Sequence, residues 1–298
     1  LVGGVAALAV YALRVVGPKV VPKGRPVVTR QQLVWLVLGI ALLWVASDWP
    51  MHDIAEEYLF SVHMVQHLLL TYFVPPMLLL ATPERLARLV LGRGKAKQAF
   101  YFLARPVPAA LLFCSLQLFT HVPGVVNTSV QVGPVHYLLH TALVSSALLM
   151  WMPVCGPLPE LRISYPAQML YLFVISIIPT VPAAWLTFAD GVVYSAYDVP
   201  ARLWGISVTS DQQAAGAIMK LVGGSYLWVI ITLRFFQWAA KFSDTDKAAD
   251  QAGPAHELHW DDEVRPEAAA PTAGTNGASA PKVGSPNGNG HKVAHGPA

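Results

Sequence analysis

The sequence predicts an all-α, polytopic integral membrane protein with seven transmembrane helices. Three observations support this fold class: 54% of the 298 residues are apolar, only 12% are charged, and the mean hydropathy is +0.48. Soluble domains usually contain about 25% charged residues. The net charge of +3 is unevenly distributed along the chain, and we interpret it as a topology signal rather than as a sign of nucleic-acid binding.

A transmembrane helix needs about 20 mostly apolar residues. The first apolar segment lacks a basic leader and a cleavage site, so we expect a span there and not a signal peptide. Pro75 and Pro76 should kink the third span, whereas Pro106 and Pro108 suit the beginning of the fourth. The predicted spans are 1–16, 32–47, 58–81, 106–121, 136–154, 167–189 and 215–239.

The basic residues predict the orientation of the bundle, because they are concentrated in alternate loops. Loop 17–31 contains four Lys or Arg and loop 82–105 contains six. Loop 48–57 contains four acidic residues and no basic one, and loop 122–135 has no charge. Lys and Arg favour cytoplasmic loops. The pattern therefore predicts an outer N-terminus and a cytoplasmic C-terminus.

The C-terminal segment differs in composition from the rest of the chain. Residues 243–298 are rich in Ala, Gly, Pro and Asn and contain four basic and eight acidic residues. Such a segment cannot bury a core, so we predict a transmembrane domain at 1–242 and a disordered cytoplasmic tail at 243–298. We expect the tail histidines to be solvated; they are His256, His259, His291 and His295.

The other six histidines all fall on the predicted outer side of the membrane. Two pairs have i, i+4 spacing, which places both members on one helix face about 6 Å apart along the axis. Ionisable residues inside spans are costly and usually functional. The pairs are His63 with His67 in the third span and His136 with His140 in the fifth, and the single residues are His52 and His121.

These histidines predict a metal site near the outer face. Neutral imidazole binds copper and zinc, and the thioether of Met64 next to His63 favours Cu(I). We predict a core site formed by His63, His67, His136 and His140. We expect His52, His121 and Met64 to act as auxiliary ligands. Asp211, just before the last span, is expected to cap that helix or to orient the site.

The sequence resembles the CtaG-type assembly factors of caa-type cytochrome c oxidases, seven-helix membrane proteins of Gram-positive bacteria. The resemblance covers about residues 30–240 and rests on four stretches, HMVQHLLLTYFVPPMLLLATP (63–83), HYLLHTALVSSALLMWMPVCGP (136–157), LTFADGVVYSAY (186–197) and WGISVTSDQQAAGAIMKLVGG (204–224).

This resemblance implies a protein of the bacterial plasma membrane that matures a haem–copper oxidase. Its implied task is delivery of copper to the catalytic subunit, with a copper donor protein as a second partner. Of the candidate ligands, only the two i, i+4 pairs are carried over as family positions.

Other functions remain open at this point. Two histidine pairs on facing helices could hold b-type haem. An intramembrane zinc hydrolase would need three ligands, an open coordination site and a general base such as Asp53 or Glu57. A copper permease is disfavoured, because the cytoplasmic halves of the spans have no obvious ligand beyond Cys155. We expect a non-enzymatic role with copper as the bound metal.

Overall fold

The computed structural model describes residues 2–21 and 26–251, with side chains up to residue 245. This part of the chain consists of helices and connecting loops and has no β-strand. Within it, six helices are long and apolar enough to cross a membrane, and a seventh crossing results if one bent helix pair forms a single span. The predicted all-α, polytopic membrane fold is therefore confirmed.

The helix boundaries follow local sequence signals. Thr29 and Gln32 form a reciprocal capping box at the start of the second helix, and prolines occupy the first turns of several others. The helices are α1 Val2–Val20, α2 Arg30–Ser47, α3 Met51–Glu57, α4 Phe60–Ala81, α5 Glu84–Leu91, α6 Lys95–Leu103, α7 Pro106–Phe119, α8 Pro123–Gln131, α9 Gly133–Cys155, α10 Tyr165–Ile177, α11 Thr180–Thr187 and α12 Val208–Thr245, whose helical backbone continues to Gln251.

Prolines in the third span do not interrupt it. A π-helical turn at Leu69–Phe73 immediately precedes Pro75 and Pro76 within α4. A proline cannot donate to the preceding turn, and its ring crowds the carbonyl four residues earlier. The wider turn accommodates this mismatch, so α4 continues to Ala81.

The fourth predicted span is more complex than the sequence indicates. Helix α7 has only 14 residues, and α6 meets it at an angle of 76° across a short break. The predicted basic loop 82–105 thus contains two helices, α5 and α6. Arg88 on α5 forms a bidentate ion pair with Glu160, at 2.7 and 2.9 Å, which fastens this segment to the loop after α9.

The core forms where α4, α9, α10 and α12 meet. Trp151 of α9 is fully buried and donates from Nε1 to the carbonyl of Thr71 in α4, at 3.0 Å. Tyr171 of α10 donates its hydroxyl to the carbonyl of Met150 at 2.9 Å. These bonds satisfy polar groups inside an apolar core, where an unpaired group would be costly. The first bond joins α9 to α4, the two helices that carry the histidine pairs, and the second joins α10 to α9.

Close packing of α11 against α12 depends on one glycine. A Cβ at Gly216 would lie 2.6 Å from both the carbonyl oxygen of Ala183 and the hydroxyl of Thr187. We expect Gly216→Ala to push the helices apart and to cost about 1–3 kcal/mol. Gly224→Ala is the matched control, because a Cβ at this position on the same helix would meet nothing within 4 Å.

Thermal unfolding of the detergent-solubilised protein measures this difference. Gly216→Ala should lower the apparent Tm, while Gly224→Ala should leave it unchanged or raise it slightly. Equal Tm values for the two variants would contradict the close packing of α11 against α12 at Gly216.

The described helices do not test two of the predictions. The orientation of the bundle in the membrane remains a prediction from the loop charges. The predicted disorder of the tail concerns mostly residues 252–298, which lie outside the described residues together with the four tail histidines.

Candidate metal centre

Three helices bring five histidines and one glutamate together at one end of the bundle. Helix α3, the first turns of α4 and the first turns of α9 all contribute to this end, which we call the histidine end. Since α9 has 23 residues, its other terminus at Cys155 lies roughly 33 Å away. The ligand atoms fall into two groups of three.

The inner triad consists of His63, His67 and His140. All of its ligand atoms lie within 4.8 Å of one another. The Nε2 atoms of His67 and His140 are 3.2 Å apart, and the rings of His63 and His67 are tilted by 45° with their centroids 4.3 Å apart. His63 and His67 are each only 6% exposed. The i, i+4 pair on α4 thus meets a single histidine of α9 in a buried setting.

The outer triad consists of His52, Glu56 and His136. Glu56 Oε1 lies 2.7 Å from His52 Nε2 and 2.8 Å from His136 Nε2. Neither Glu56 Oε1 nor His136 Nε2 is in hydrogen-bond geometry with a described residue, although both atoms are buried. Two imidazoles and a carboxylate that converge in this way match the ligand set of a three-coordinate protein site for zinc or copper.

Helix α9 connects the two triads. It supplies His136 to the outer triad and His140 to the inner one, and the two rings are 4.1 Å apart. The ring of His63 lies 5.8 Å from that of His136 across the α4–α9 contact. The four histidines predicted to form a core site are therefore adjacent, but they are divided between two groups of ligands.

A cavity of about 630 Å³ runs beside the triads between α2 and α9. Three metal-ligand candidates border it: His52, His136 and His140. Asp48 and Asp53 line it as well, with the hydroxyls of Thr141 and Ser145. The carboxylates that line the cavity attract cations, and the cavity leads to the outer triad.

Comparison with known protein families shows the family of the chain. The sequence model of the cytochrome c oxidase caa3 assembly factors (Caa3_CtaG) matches residues 7–241. The chain belongs to this family. All six residues of the two triads lie inside the matched range, and the predicted tail at 243–298 lies outside it.

The curated relatives of this chain do not add a function. It is 26% identical over 224 residues to the uncharacterized protein Mb0105 of Mycobacterium bovis and, to the same extent, to the uncharacterized protein MT0111 of Mycobacterium tuberculosis. These matches cover 69% of the chain but only 33% of each relative, so the chain spans about a third of their length. No solved structure matches the chain significantly.

Two of the predicted auxiliary ligands lie outside both triads. His121 is buried and its Nδ1 is bonded to the carbonyl of Gln117 at 2.6 Å, which fixes the ring at the end of α7. Met64 packs in an apolar cluster with Phe60 and Met219. Their assignment as metal ligands stays a prediction, whereas His52 does join a triad.

Glu56 was not among the predicted ligands. It lay in a segment interpreted as a loop with four acidic residues, and nothing in its composition distinguished it from Asp53 or Glu57. The i, i+4 spacing of His52 and Glu56 was the available signal. Once α3 forms, this spacing places both side chains on one face.

Asp211 caps a different helix from the one expected. Its carboxylate accepts hydrogen bonds from the backbone N–H of Phe60 at 2.7 Å and of Ser61 at 3.1 Å. Its own helix is capped by Ser207, whose hydroxyl accepts from the N–H of Ser210. Asp211 therefore caps α4, the helix that carries His63 and His67, from a position 151 residues away.

The two glutamines after Asp211 hold the adjacent loop. Gln212 is buried; its Oε1 accepts from the N–H of Val193, and its Nε2 donates to the carbonyl of Tyr194. Gln213 donates to the carbonyl of Ala189 at 2.9 Å. The D-Q-Q run thus positions the loop between α11 and α12 as well as α4.

Two tyrosines of this loop reach the helices that carry candidate ligands. Tyr197 donates its hydroxyl to the carbonyl of Ala55 in α3 at 3.0 Å, and Tyr194 donates to the carbonyl of His121 at 2.9 Å. Burial raises the pKa of both phenols, so they keep their protons and remain donors at neutral pH. The loop between α11 and α12 therefore stabilises α3 and, with it, His52 and Glu56.

Proposed function

We propose that this assembly factor binds copper at the two triads and passes it to the catalytic subunit of a cytochrome c oxidase in the bacterial plasma membrane. One observation carries this proposal: two imidazole-rich sets of three ligand atoms meet within a buried, connected region. Three buried imidazole nitrogens there have no hydrogen-bond partner among the described residues. They are the Nδ1 atoms of His63, His67 and His136.

The chemistry of the two triads suits an ion that is bound reversibly and then released. The inner triad offers three neutral imidazoles and the outer triad replaces one imidazole with a carboxylate, so both sets accept copper. Because His136 and His140 are neighbours on one helix, the ion can exchange ligands stepwise between sets of comparable affinity. A copper donor protein would load the outer triad, and the oxidase subunit would receive the ion from the same end.

The geometry favours an ion over haem. In b-type haem, the porphyrin lies between the two coordinating imidazoles. Here the Nε2 atoms of His67 and His140 are in direct contact at 3.2 Å, so no macrocycle fits between these two rings. An absorption spectrum of the purified protein tests this point, because bound haem would show a Soret band.

Glu56 gives the sharpest test of two separate triads. We expect Glu56→Gln to remove copper from the outer triad and to leave the inner one loaded, since the amide is a neutral and weaker ligand. Copper bound per chain, measured on protein reconstituted with Cu(I) under anaerobic conditions, should fall by about half. Glu57→Gln is the matched control, because this neighbouring carboxylate is exposed and belongs to neither triad.

Loss of all bound copper in the Glu56→Gln protein would contradict two independent sites. An unchanged copper content would show that the outer triad takes no part in binding.

A zinc hydrolase is the second candidate, and the outer triad is the observation that favours it. Two histidines and one glutamate form a ligand set of catalytic zinc, which keeps one position open for water. The cavity beside the triad would admit a substrate, and Asp53, 3.4 Å from His52 Nδ1, lies close enough to act as base. Stoichiometric zinc in protein purified without chelators, together with lipid turnover, would support this function over copper delivery.

A further inference from the structure

A second cavity lies at the opposite end of the bundle from the triads. It encloses about 600 Å³ between the loop after α9, the start of α10 and the last turns of α12. Three of its lining residues are basic, namely Arg162, Arg234 and Lys241, and none is acidic. Three cations around one recess attract an anion, and several of their donors are free to bind one.

The basic side chains of this cavity are not neutralised within the described part of the chain. Arg162 uses Nε to donate to the carbonyl of Gly156 at 2.8 Å, and Arg234 uses Nη1 to donate to the side chain of Gln237 at 2.9 Å. No described carboxylate forms an ion pair with Arg162, Arg234 or Lys241. Both guanidinium groups are thus oriented by a protein contact while their remaining N–H groups stay available.

A buried amide in the same cavity also lacks a partner. Gln168 is 4% exposed and donates from Nε2 to the carbonyl of Ile163. Its Oε1 has no hydrogen-bond partner among the described residues. A ligand that combines phosphate oxygens with hydroxyl donors would satisfy the cations and this acceptor together.

The rim of the cavity is apolar and aromatic. Trp238 and Phe242 stand on the same face of α12 as Arg234 and Lys241, and their side chains are 38% and 58% exposed. Tyr165 faces them from the first turn of α10. Aromatic residues at the ends of spans mark the level of the lipid headgroups, and an exposed apolar rim next to them suits acyl chains.

From this arrangement we propose that the cavity binds the phosphodiester headgroup of an anionic phospholipid that carries headgroup hydroxyls. Arg162, Arg234 and Lys241 hold the phosphate, Gln168 accepts a hydrogen bond from a headgroup hydroxyl, and the aromatic rim contacts the acyl chains. Basic recesses between transmembrane helices are known sites for such headgroups. The loop charges predict that this end faces the cytoplasm, and anionic lipids populate the cytoplasmic leaflet.

Calorimetric titration of the full-length, detergent-solubilised protein with dioctanoyl phosphatidylglycerol tests the proposal. Each basic residue should contribute about a fivefold gain in affinity, so the variant R162Q/R234Q/K241Q should bind about 100-fold more weakly. The matched control R85Q/R93Q/K95Q removes the same charge from exposed positions outside the cavity and should retain the wild-type Kd. The single change Lys241→Gln, at an exposed position, should weaken binding about fivefold without a risk to folding.

Three other titrations separate the possible ligands. Dioctanoyl phosphatidylcholine should bind much more weakly than dioctanoyl phosphatidylglycerol. If inorganic phosphate binds as tightly as the lipid, the ligand is a free anion and the lipid assignment is wrong. If lipid binds only after the tail changes D261N/D262N/E263Q, an acidic segment of the chain itself occupies the cavity, and this too would overturn the proposal. Equal Kd values for the two triple variants would exclude the cavity as the site.

Discussion

Replacement of both His63 and His67 by alanine is expected to abolish copper binding at the inner triad and to leave the host cell with little active oxidase. Two of the three ligands disappear, and the remaining imidazole of His140 cannot hold an ion alone. Disturbing only the residues around a metal ligand already costs about 10–100-fold in affinity, so the loss of two ligands should exceed that. The protein itself should remain in the membrane, because the apolar contacts of α4 are unchanged.

Oxidase activity and copper content of membranes from a deletion strain complemented with the variant measure this effect. The double change His256→Ala with His259→Ala is the matched control, since it removes two histidines from the tail, which has no assigned role. An oxidase with normal activity and a full copper complement beside the His63/His67 variant would refute copper delivery through the inner triad.

Loss of the Asp211 carboxylate should have the second largest effect, although this residue is no ligand in either triad. In Asp211→Ala, the N–H groups of buried Phe60 and half-buried Ser61 would be left without this acceptor. Hydrogen bonds to a charged group contribute about 1.5–3 kcal/mol each, and a lost cap alone costs about 1 kcal/mol. The first turn of α4 should fray, and His63 one turn later should lose its alignment with His140.

Thermal unfolding and metal titration report on the two parts of this expectation. The apparent Tm should fall by roughly 5–15 °C, since 1 kcal/mol corresponds to about 2–4 °C in a chain of this size. The affinity for copper should fall with it, whereas Asp211→Asn, which keeps one acceptor oxygen, should be intermediate. Asp190→Ala is the control from the same side of the bundle, because Asp190 is exposed. A variant as stable as the wild type would show that the contact at 2.7 Å does not support α4.

Local patterns in the sequence predicted the parts of the molecule that depend on local physics. Apolar length identified the spans, and i, i+4 spacing identified two histidine pairs that the structure indeed brings together through His67 and His140. Hydropathy located α7 close to the predicted 106–121, but it did not indicate the 76° bend against α6, because such a bend is defined by packing and not by composition.

The missed features of the candidate site are long-range contacts. Asp211 was expected to cap its own helix or to orient the site, since a cap is normally recognised by the residues that follow it. Its actual partners are at Phe60 and Ser61, and no local pattern encodes a contact across 151 residues. Glu56 became a candidate ligand only because α3 forms within a segment that charge alone describes as a loop.

The cavity between α2 and α9 has a kinetic consequence. Of the inner triad, only His140 borders this cavity, whereas His52 and His136 of the outer triad both line it. If both triads bind copper as proposed, an ion in the inner triad would exchange with this cavity past His140, next to the outer ligands, so an ion in the outer triad would hinder its release. Loading and unloading would then be ordered, with the first ion in being the last ion out. A cell could then hold one copper ion in reserve for as long as the outer triad stays filled.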